Sequence, residues 1–311
     1  MHTRMSEINL SILIVNYNSH THIKTCLDSI YRYSDGLNFE ILILDNNSSE
    51  KGFEDIESYA HENLFTFRSP KNMGFGAGIN CLYRKAKGEY LLFLNPDTYF
   101  IHNTLLDLYS FAKERNDCGI CSPAIYNSNG SLNYNFNYFP DFIWEIYELL
   151  GWGYNRRLNK LSSVINQNKL KHEPIKVDWM TGACMLIKKD LFGSIGKFDE
   201  RFFLYYEDVD LQNRLVKEGK FNYCVPYLDV IHESNVSSKS EREIYYSNLL
   251  KSKLLYYSKY FNYPKRLLNK GLLLTGFILR LLFVNFRNKK KNEKQVLKKR
   301  YKDSVKIIMN Y

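Results

Sequence analysis

The sequence predicts an α/β fold, a mostly parallel central sheet flanked by helices, with a C-terminal helical extension. Three observations predict it. Short apolar runs alternate with stretches of helical periodicity over residues 1–125, as in a parallel sheet covered on both faces. The runs are continuous, as strands buried on both sides require. From about Glu241 the pattern is helical only. The chain's 311 residues, 45% hydrophobic and 24% charged, suffice for a core and are neither disordered nor fibrous in composition.

Element by element, Leu10–Val15 (LSILIV) reads as the first strand. Ile23, Leu27 and Ile30, with Cys26 on the same face, mark the helix that follows. Phe39–Leu44 (FEILIL) is a second buried strand, ended by the turn-forming DNNSS, and a shorter strand lies around Leu64–Phe67. GFGAGINCLYRKAKG reads as a helix after a glycine-rich turn, with Gly88 as its C-cap. Tyr90–Leu94 is a third buried strand, closed by NPDT. Residues 126–175 are less regular, with a turn signal at Asn129–Gly130. A strand over Ala183–Lys189 precedes a helix over 207–218 that carries Glu207, Asp208 and Asp210 in its first turn and Gly219 past its end. YCVPYLDVIHES supplies one more strand. The chain thus divides into segments 1–125, 126–240 and 241–311.

The net charge of +10 is local. Eleven of the 43 lysines and arginines lie from Arg280 onward, against only Glu293 and Asp303 among the acids, so the tail holds nearly all the excess. That disfavours a basic face spread over the fold, and with it nucleic acid as a partner. The N-terminal apolar stretch, about Leu10 to Val15, is too short for an export signal, and no apolar run reaches the roughly 20 residues of a spanning helix. The six cysteines are therefore expected as reduced thiols in a cytoplasmic protein. Cys118 and Cys121 have no second pair at zinc-ligand spacing and read as packing residues.

In an open parallel sheet, ligands bind beyond the carboxyl ends of the strands. Three strands each end there in an Asn/Asp cluster: Asn16–Tyr17–Asn18, Asp45–Asn46–Asn47 and Asn95–Pro96–Asp97. Each alone reads as an ordinary turn; three at one edge point to a site. NMGFGAGIN (Asn72–Asn80) adds glycines and a helix N-terminus able to receive an anion, although it is neither GxGxxG nor a P-loop. Glu207 and Asp208 follow the aromatic FFLYY, an apolar approach suited to a general base; acids in a first helical turn also simply offset the dipole.

SILIVNYNS, LILDNNSS, NMGFGAGIN, YLLFLNPDT, VDWMTGACMLIKK and FDERFFLYYEDVDLQNRL, in this order, resemble the family 2 glycosyltransferases of Rossmann-like GT-A fold, and among them the rhamnosyltransferase-like branch. The likeness runs from about residue 8 to 235 and takes in GICSPAIYNSNGSL as a connecting segment. It implies a nucleotide-sugar donor (dTDP-rhamnose or a UDP-hexose), Mg²⁺ or Mn²⁺, an acceptor hydroxyl and inversion. Segment 1–125 becomes the donor-binding half and 126–240 the acceptor-binding, catalytic half. By the same likeness Asp45 accepts from the pyrimidine N3–H, the Val15 backbone and Tyr17 pack around the base, and Asn72 to Gly74 border ribose and diphosphate. Asp97 stands where the family's Asp-X-Asp ends, but Asn95 replaces its first Asp, which leaves one carboxylate for the metal, with His232 beside it. Asp208 is the implied base and Glu207 orients the acceptor or the base, while Trp179, Thr181 and Gly182 line donor sugar and acceptor.

Residues 271–284 (GLLLTGFILRLLFV) form an apolar run of 14, too short to span a bilayer and interrupted by Arg280. On a helix, Asn269, Gly276, Arg280 and Arg287 share one narrow stripe, and a lysine-rich stretch follows. Such a segment suits an anionic membrane surface, hence a peripheral protein on the inner face of the cytoplasmic membrane, beside the lipid-linked glycan acceptor that the resemblance implies for cell-surface polysaccharide synthesis. A helix packed on the domain is the alternative. Two other functions compete: a sugar-nucleotide pyrophosphorylase, which has a glycine-rich loop where this chain has NYNSH, and a non-catalytic nucleotide- or RNA-binding protein, which leaves Asp97, Glu207 and Asp208 without a purpose.

Overall fold

A computed structural model describes residues 8–49, 51–59, 61–133, 136–143, 145–146, 154–233, 239–286 and 290–311. The first elements are β1 (Leu10–Asn16), α1 (His20–Arg32), β2 (Phe39–Asp45), α2 (Phe53–Glu57), β3 (Leu64–Arg68), α3 (Phe75–Tyr83) and β4 (Tyr90–Leu94). Then come β5 (Thr98–Tyr99), α4 (Thr104–Lys113), β6 (Cys118–Tyr126), β7 (Leu132–Asn133), β8 (Phe136–Asn137) and α5 (Tyr154–Lys171). β9 (Ile175–Val177), β10 (Trp179–Met180), β11 (Cys184–Lys188), α6 (Lys189–Ser194), α7 (Glu207–Lys217) and β12 (Phe221–His232) follow. Three helices end the chain: α8 (Lys239–Tyr260), α9 (Tyr263–Phe283, continued by a 3₁₀ turn to Phe286) and α10 (Lys291–Asn310).

The chain divides into two compact units, Met1–Phe139 with Leu161–Phe203 and Glu207–Asn235, and Pro140–Lys160 with Leu204–Tyr206 and Val236–Tyr311. The first holds the sheet, in the order β3-β2-β1-β4-β11-β6-β12-β5, with β7 on β6 and β9 on β12; β8 and β10 pair separately. β3, β2, β1 and β4 are parallel, as are β6 and β12, while β11 enters antiparallel between β4 and β6. That insertion matters for function. It sets Cys184 opposite Leu94, so the loop entering β11 meets the loops leaving β1, β2 and β4 at one edge.

Alternate residues of each central strand feed two cores. Leu10, Ile12, Ile14, Ile41 and Ile43 pack with Ile23, Leu27 and Ile30 of α1. Leu13, Val15, Leu42, Leu44 and Phe93 pack with Ile79 of α3, Phe192 of α6 and Leu211 and Leu215 of α7. Both sets are buried, which is why the strands read as unbroken apolar runs.

Three details differ from the sequence reading. β1 and β2 run one residue further, bringing Asn16 and Asp45 into register as the last ladder pair. α3 stops at Tyr83, and Gly88 is no C-cap: its N–H donates to Ser11 Oγ at 2.8 Å, and a Cβ there would stand 2.4 Å from Ser11 N. This glycine permits a close backbone approach. Residues 126–175, read as irregular, contain α5.

Within the second unit the buried Glu145 carboxylate accepts from Lys253 Nζ at 2.8–2.9 Å and from the Tyr257 hydroxyl. Ser252 Oγ donates to Leu204 O at 2.8 Å, and the Tyr205 and Tyr206 rings meet Tyr245 and Tyr256 of α8. α9 is inverted relative to a helix of a water-soluble surface. Its buried residues are Asn269 and Gly276, two members of the sequence stripe, whereas Leu267, Leu268, Ile278, Leu279, Leu282 and Phe283 are exposed. Arg280 lies over the Phe277 ring; Arg287 is outside the described residues. With its 3₁₀ turn the helix spans 24 residues, Tyr263–Phe286, long and apolar enough to cross a membrane, because it extends the 14-residue run at both ends. The expectation that no segment reaches spanning length is corrected accordingly. Phe277 of α9 packs on Tyr301 of α10.

Candidate functional site

The loops leaving β1 and β2 are joined side chain to side chain. Asn16 Nδ2 donates to Asp45 Oδ1 at 2.8 Å and to Ser48 Oγ at 3.2 Å, and Ser48 Oγ donates to Asp45 Oδ1 at 2.6 Å. Asn18 and Asn47 take left-handed backbone, φ 52° and 63°, which Asn tolerates better than most residues. Asp45 is thereby fixed and buried, while Tyr17 beside it stands 46% exposed. Val15 faces the opposite way, its methyls against the position where Gly78 lacks a Cβ.

Asn46 organises the glycine-rich loop. Its amide donates to Asn72 Oδ1 at 3.0 Å and Gly74 O at 3.1 Å, and its oxygen accepts from Met73 N at 2.9 Å. Asn72 Oδ1 also accepts from Gly74 N at 2.9 Å. Gly74, at φ +84°, leads into α3, and a Cβ on it would lie 2.0 Å from Phe203 O. Gly74→Ala therefore meets both a left-handed backbone and fixed main chain. The expected outcome is a loss of several degrees in Tm, on the order of 2 kcal/mol or more, together with weaker nucleotide binding. A melting curve within a degree of the parent would contradict this packing.

β5 and β12 pair through Thr98 and His232, which sets the ends of NPD and IHE together. His232 Nε2 lies 3.1 Å from Asp97 Oδ1 and 3.4 Å from Asn95 Nδ2. Glu233 N donates to Asp97 O at 3.0 Å, and His22 Nδ1 of α1 stands 3.0 Å from the Glu233 carboxylate. Among the described residues no group of three or more His, Cys, Asp or Glu is placed to hold a metal by itself. The Asp97–His232 pair nevertheless fits Mg²⁺ or Mn²⁺, which typically needs only one or two protein carboxylates when phosphate oxygens and water fill the other positions.

The acidic turn meets the glycine loop. Asp208 Oδ1 accepts from Val209 N at 2.8 Å and Oδ2 from Gly182 N at 3.1 Å. Burial pushes its carboxyl up to about 6, against the pull of those N–H groups. Glu207 is 5% exposed, and its Oε2 has no hydrogen-bond partner among the described residues. Burial, then the neighbouring Asp208, holds it well above the usual carboxylate range. A Cβ on Gly76 would stand 3.5 Å from Glu207 Cβ, and one on Gly182 would stand 3.4 Å from the Phe75 ring. Asn95 N donates to Ala183 O at 3.0 Å, which ties the Asp97 loop to the segment holding Thr181 and Gly182.

Gln212, absent from the sequence reading, sets this arrangement. Fully buried one turn after Asp208, it accepts from Met180 N at 2.8 Å and donates to Met180 O at 2.7 Å and Asp208 O at 3.0 Å. It clamps β10 to α7 and so carries Gly182 to Asp208. A polar residue on the apolar face of a helix was its available signal. Trp179, next to the clamp, donates from Nε1 to Tyr138 O at 2.8 Å. Asp210 separates from the other acids: it pairs with Arg214, which also binds the carbonyls of Ile195 and Lys197.

Residues 11–196 match the sequence family "Glycosyl transferase family 2". An N-acetylglucosaminyl-diphospho-decaprenol L-rhamnosyltransferase of Mycobacterium tuberculosis is 27% identical over 235 residues, 72% of this chain and 75% of the relative. Rhamnosyltransferase WbbL of Escherichia coli is 28% identical over 244 residues, 74% of this chain and 85% of that one. Among solved structures, GalNAc-T7 with UDP, GalNAc and Mn²⁺ superposes with TM-score 0.61 at 16% identity, over 98% of this chain and 56% of that chain. The mannosyltransferase PcManGT of Pyrobaculum calidifontis, with GDP-Man and Mn²⁺, gives 0.57 at 14% identity, over 98% and 85%. With the GT-A sheet and this family match over most of its first unit, the chain belongs to the family 2 glycosyltransferases.

Proposed function

We propose that the protein is an inverting transferase that moves a sugar from a nucleotide-sugar donor to a glycan hydroxyl, with Asp208 as general base. The observation that carries this reading is the Asp208 carboxylate, fixed by two backbone N–H groups and raised to about 6 beside the glycine loop. Asp45 receives the base N–H and Tyr17 covers the ring; Asn72 to Gly74 and the first N–H groups of α3 face the diphosphate. Asp208 takes the acceptor O–H proton as that oxygen attacks the anomeric carbon. The bond to the diphosphate breaks on the opposite face, the nucleoside diphosphate leaves, and configuration inverts. Glu207, buried beside the base, has its carboxyl held above the usual range by burial and by Asp208 itself, which disfavours a second negative charge there. Trp179, Thr181 and Gly182 border sugar and acceptor. Asp97 and His232 would hold the divalent cation, which supplies charge neutralisation at the leaving group. dTDP-rhamnose is the leading donor, since the mycobacterial and E. coli relatives are named rhamnosyltransferases, and UDP-hexoses come next. Thermal shift against a panel of nucleotide sugars, each with Mn²⁺, tests the reading. No shift with any of them would sink it.

The acceptor we favour is a lipid-linked glycan, as in the mycobacterial relative's name, reached at the inner face of the cytoplasmic membrane. α9 has spanning length, but α10 packs along it through Phe277 and Tyr301. Spanning would drag Lys298, Lys299, Arg300 and Lys302 toward hydrocarbon at about 2.5–3.5 kcal/mol each. Lying on the surface avoids this and buries the exposed leucines. Binding to anionic vesicles should therefore fall with salt without vanishing, and Leu279→Glu with Phe283→Glu should weaken it at every salt concentration. Co-sedimentation unaffected by that pair would remove the helix from the membrane reading.

A further inference from the structure

Where α8 meets the beginning of α9 and the end of α10, the second unit contains a groove of about 190 Å³ whose lining includes Tyr257, Tyr263, Arg266, Leu267, Lys270 and Tyr311. It is smaller than the roughly 300–1,000 Å³ of a pocket for a whole small molecule. Its charged side chains are both cationic, Arg266 and Lys270, with Ser258 and the tyrosines adding neutral polar groups. Arg266 and Lys270 stand one helical turn apart, both only partly exposed, and neither pairs with an Asp or Glu side chain among the described residues. The guanidinium lies 5.4 Å from the Tyr263 ring centre, which fixes its direction. Apart from Ser258, the rest of the lining is aromatic and aliphatic. Leu267, which lines the groove, is also 56% exposed on the outward apolar face of α9. Two partly buried cations at the border of an exposed apolar surface suit an anion that is itself attached to something apolar.

We propose that this groove binds the phosphate of an anionic phospholipid headgroup, with Arg266 and Lys270 on the phosphate oxygens and Leu267 and Tyr263 against the glycerol and upper acyl carbons. The proposal rests on the membrane reading of this unit and adds a defined site to it. The groove does not extend that surface's diffuse attraction. It converts part of it into recognition of a headgroup, which also fixes the rotation of α9 about its axis on the bilayer.

The test uses the full-length protein and two charge-matched double variants. Arg266→Gln with Lys270→Gln removes the groove cations; Lys299→Gln with Lys302→Gln removes two exposed cations of α10. Co-sedimentation is measured with vesicles containing an anionic phospholipid and with vesicles of equal surface charge supplied by a fatty-acid carboxylate. The groove pair should lose about tenfold in binding to the phospholipid vesicles and under about twofold on the carboxylate ones. The α10 pair should lose the same modest amount on both. Arg266→Lys with Lys270→Arg should restore most of the loss. A nucleoside-diphosphate thermal shift on every variant reports folding and the donor site independently. Equal losses for the two Gln pairs on phospholipid would overturn the groove while leaving surface binding intact. Failure of the parent protein to bind any vesicle would overturn the groove and the membrane reading together. If inorganic phosphate shields Arg266 from an arginine-specific reagent as well as the phospholipid vesicles do, the groove is a soluble-anion site and the lipid assignment falls.

Discussion

Asp208→Asn is expected to lower sugar transfer by about 10²–10⁴-fold while nucleoside-diphosphate binding and the fold persist. The side chain keeps its shape. One oxygen can still accept from Val209 N or Gly182 N, but the new amide must face the other donor, so one bond becomes a mismatch. What is lost outright is basicity. The parent enzyme should show kcat/KM rising with pH through about 6 to a plateau, because the base must be unprotonated. The variant should show no such limb. Stability moves the opposite way. A carboxyl raised from 3.8 to about 6 in the folded state binds more protons there than in the unfolded chain across that interval. Its contribution to stability is therefore present below about 4 and is lost as pH rises through about 6. Asp208→Asn removes this dependence, so the variant should lose less stability than the parent on going from acid to neutral pH. Transfer near the parental rate, or an unchanged acid limb in the variant, would remove Asp208 from the chemistry.

Much of the candidate site's placement was legible because its residues lie where chain direction alone places them. Asn16, Asp45 and the Asn95–Asp97 turn close β1, β2 and β4, and strands of one parallel set end at one edge, so three apolar runs and their last residues suffice. Asp208 and Glu207 were legible as a first helical turn. Their approach to Gly76 and Gly182 was not. That meeting depends on β11 running antiparallel between β4 and β6, and a five-residue apolar run carries no sign of direction. Gln212 was hidden for a related reason. Its partners are the backbone of Met180 and Asp208, and a side chain that bonds to main chain leaves no complementary residue in the sequence to notice. Asp210 shows the reverse error of counting acids by proximity along the chain: two residues after Asp208 the helix has turned it toward Arg214. In α9 the stripe of Asn269 and Gly276 was visible, but which side faces protein was not, since periodicity fixes a face and not its environment.

Removal of the carboxylate proposed to hold the metal should have the second largest effect. Asp97→Ala is expected to weaken nucleoside-diphosphate binding by about 10–100-fold in the presence of Mn²⁺, and to leave binding of the nucleoside without phosphates nearly unchanged. The reason is the position of the group. Asp97 reaches the site with its side chain alone, while its carbonyl accepts from Glu233 N and so keeps the loop against the end of β12 whatever the side chain. With Asn95 in place of a second carboxylate, Asp97 is the only acidic side chain in the Asn95–Pro96–Asp97 turn, and His232 at 3.1 Å is the partner we propose for the cation. Two protein donors make a weak site by themselves, so cation and diphosphate should bind with strong mutual dependence. Titrating nucleoside diphosphate with and without Mn²⁺ reads this coupling directly, without any turnover. His232→Ala should lower the coupling as well, by less than Asp97→Ala, because it removes a nitrogen donor and leaves the carboxylate in place. Chelation should then abolish transfer and restoration of Mn²⁺ or Mg²⁺ should recover it. If the chelated enzyme turns over normally and binds nucleoside diphosphate as tightly as before, Asp97 and His232 form an ordinary ion pair. Neutralisation of the leaving diphosphate must in that case come from the N–H groups at the start of α3 and from cationic side chains.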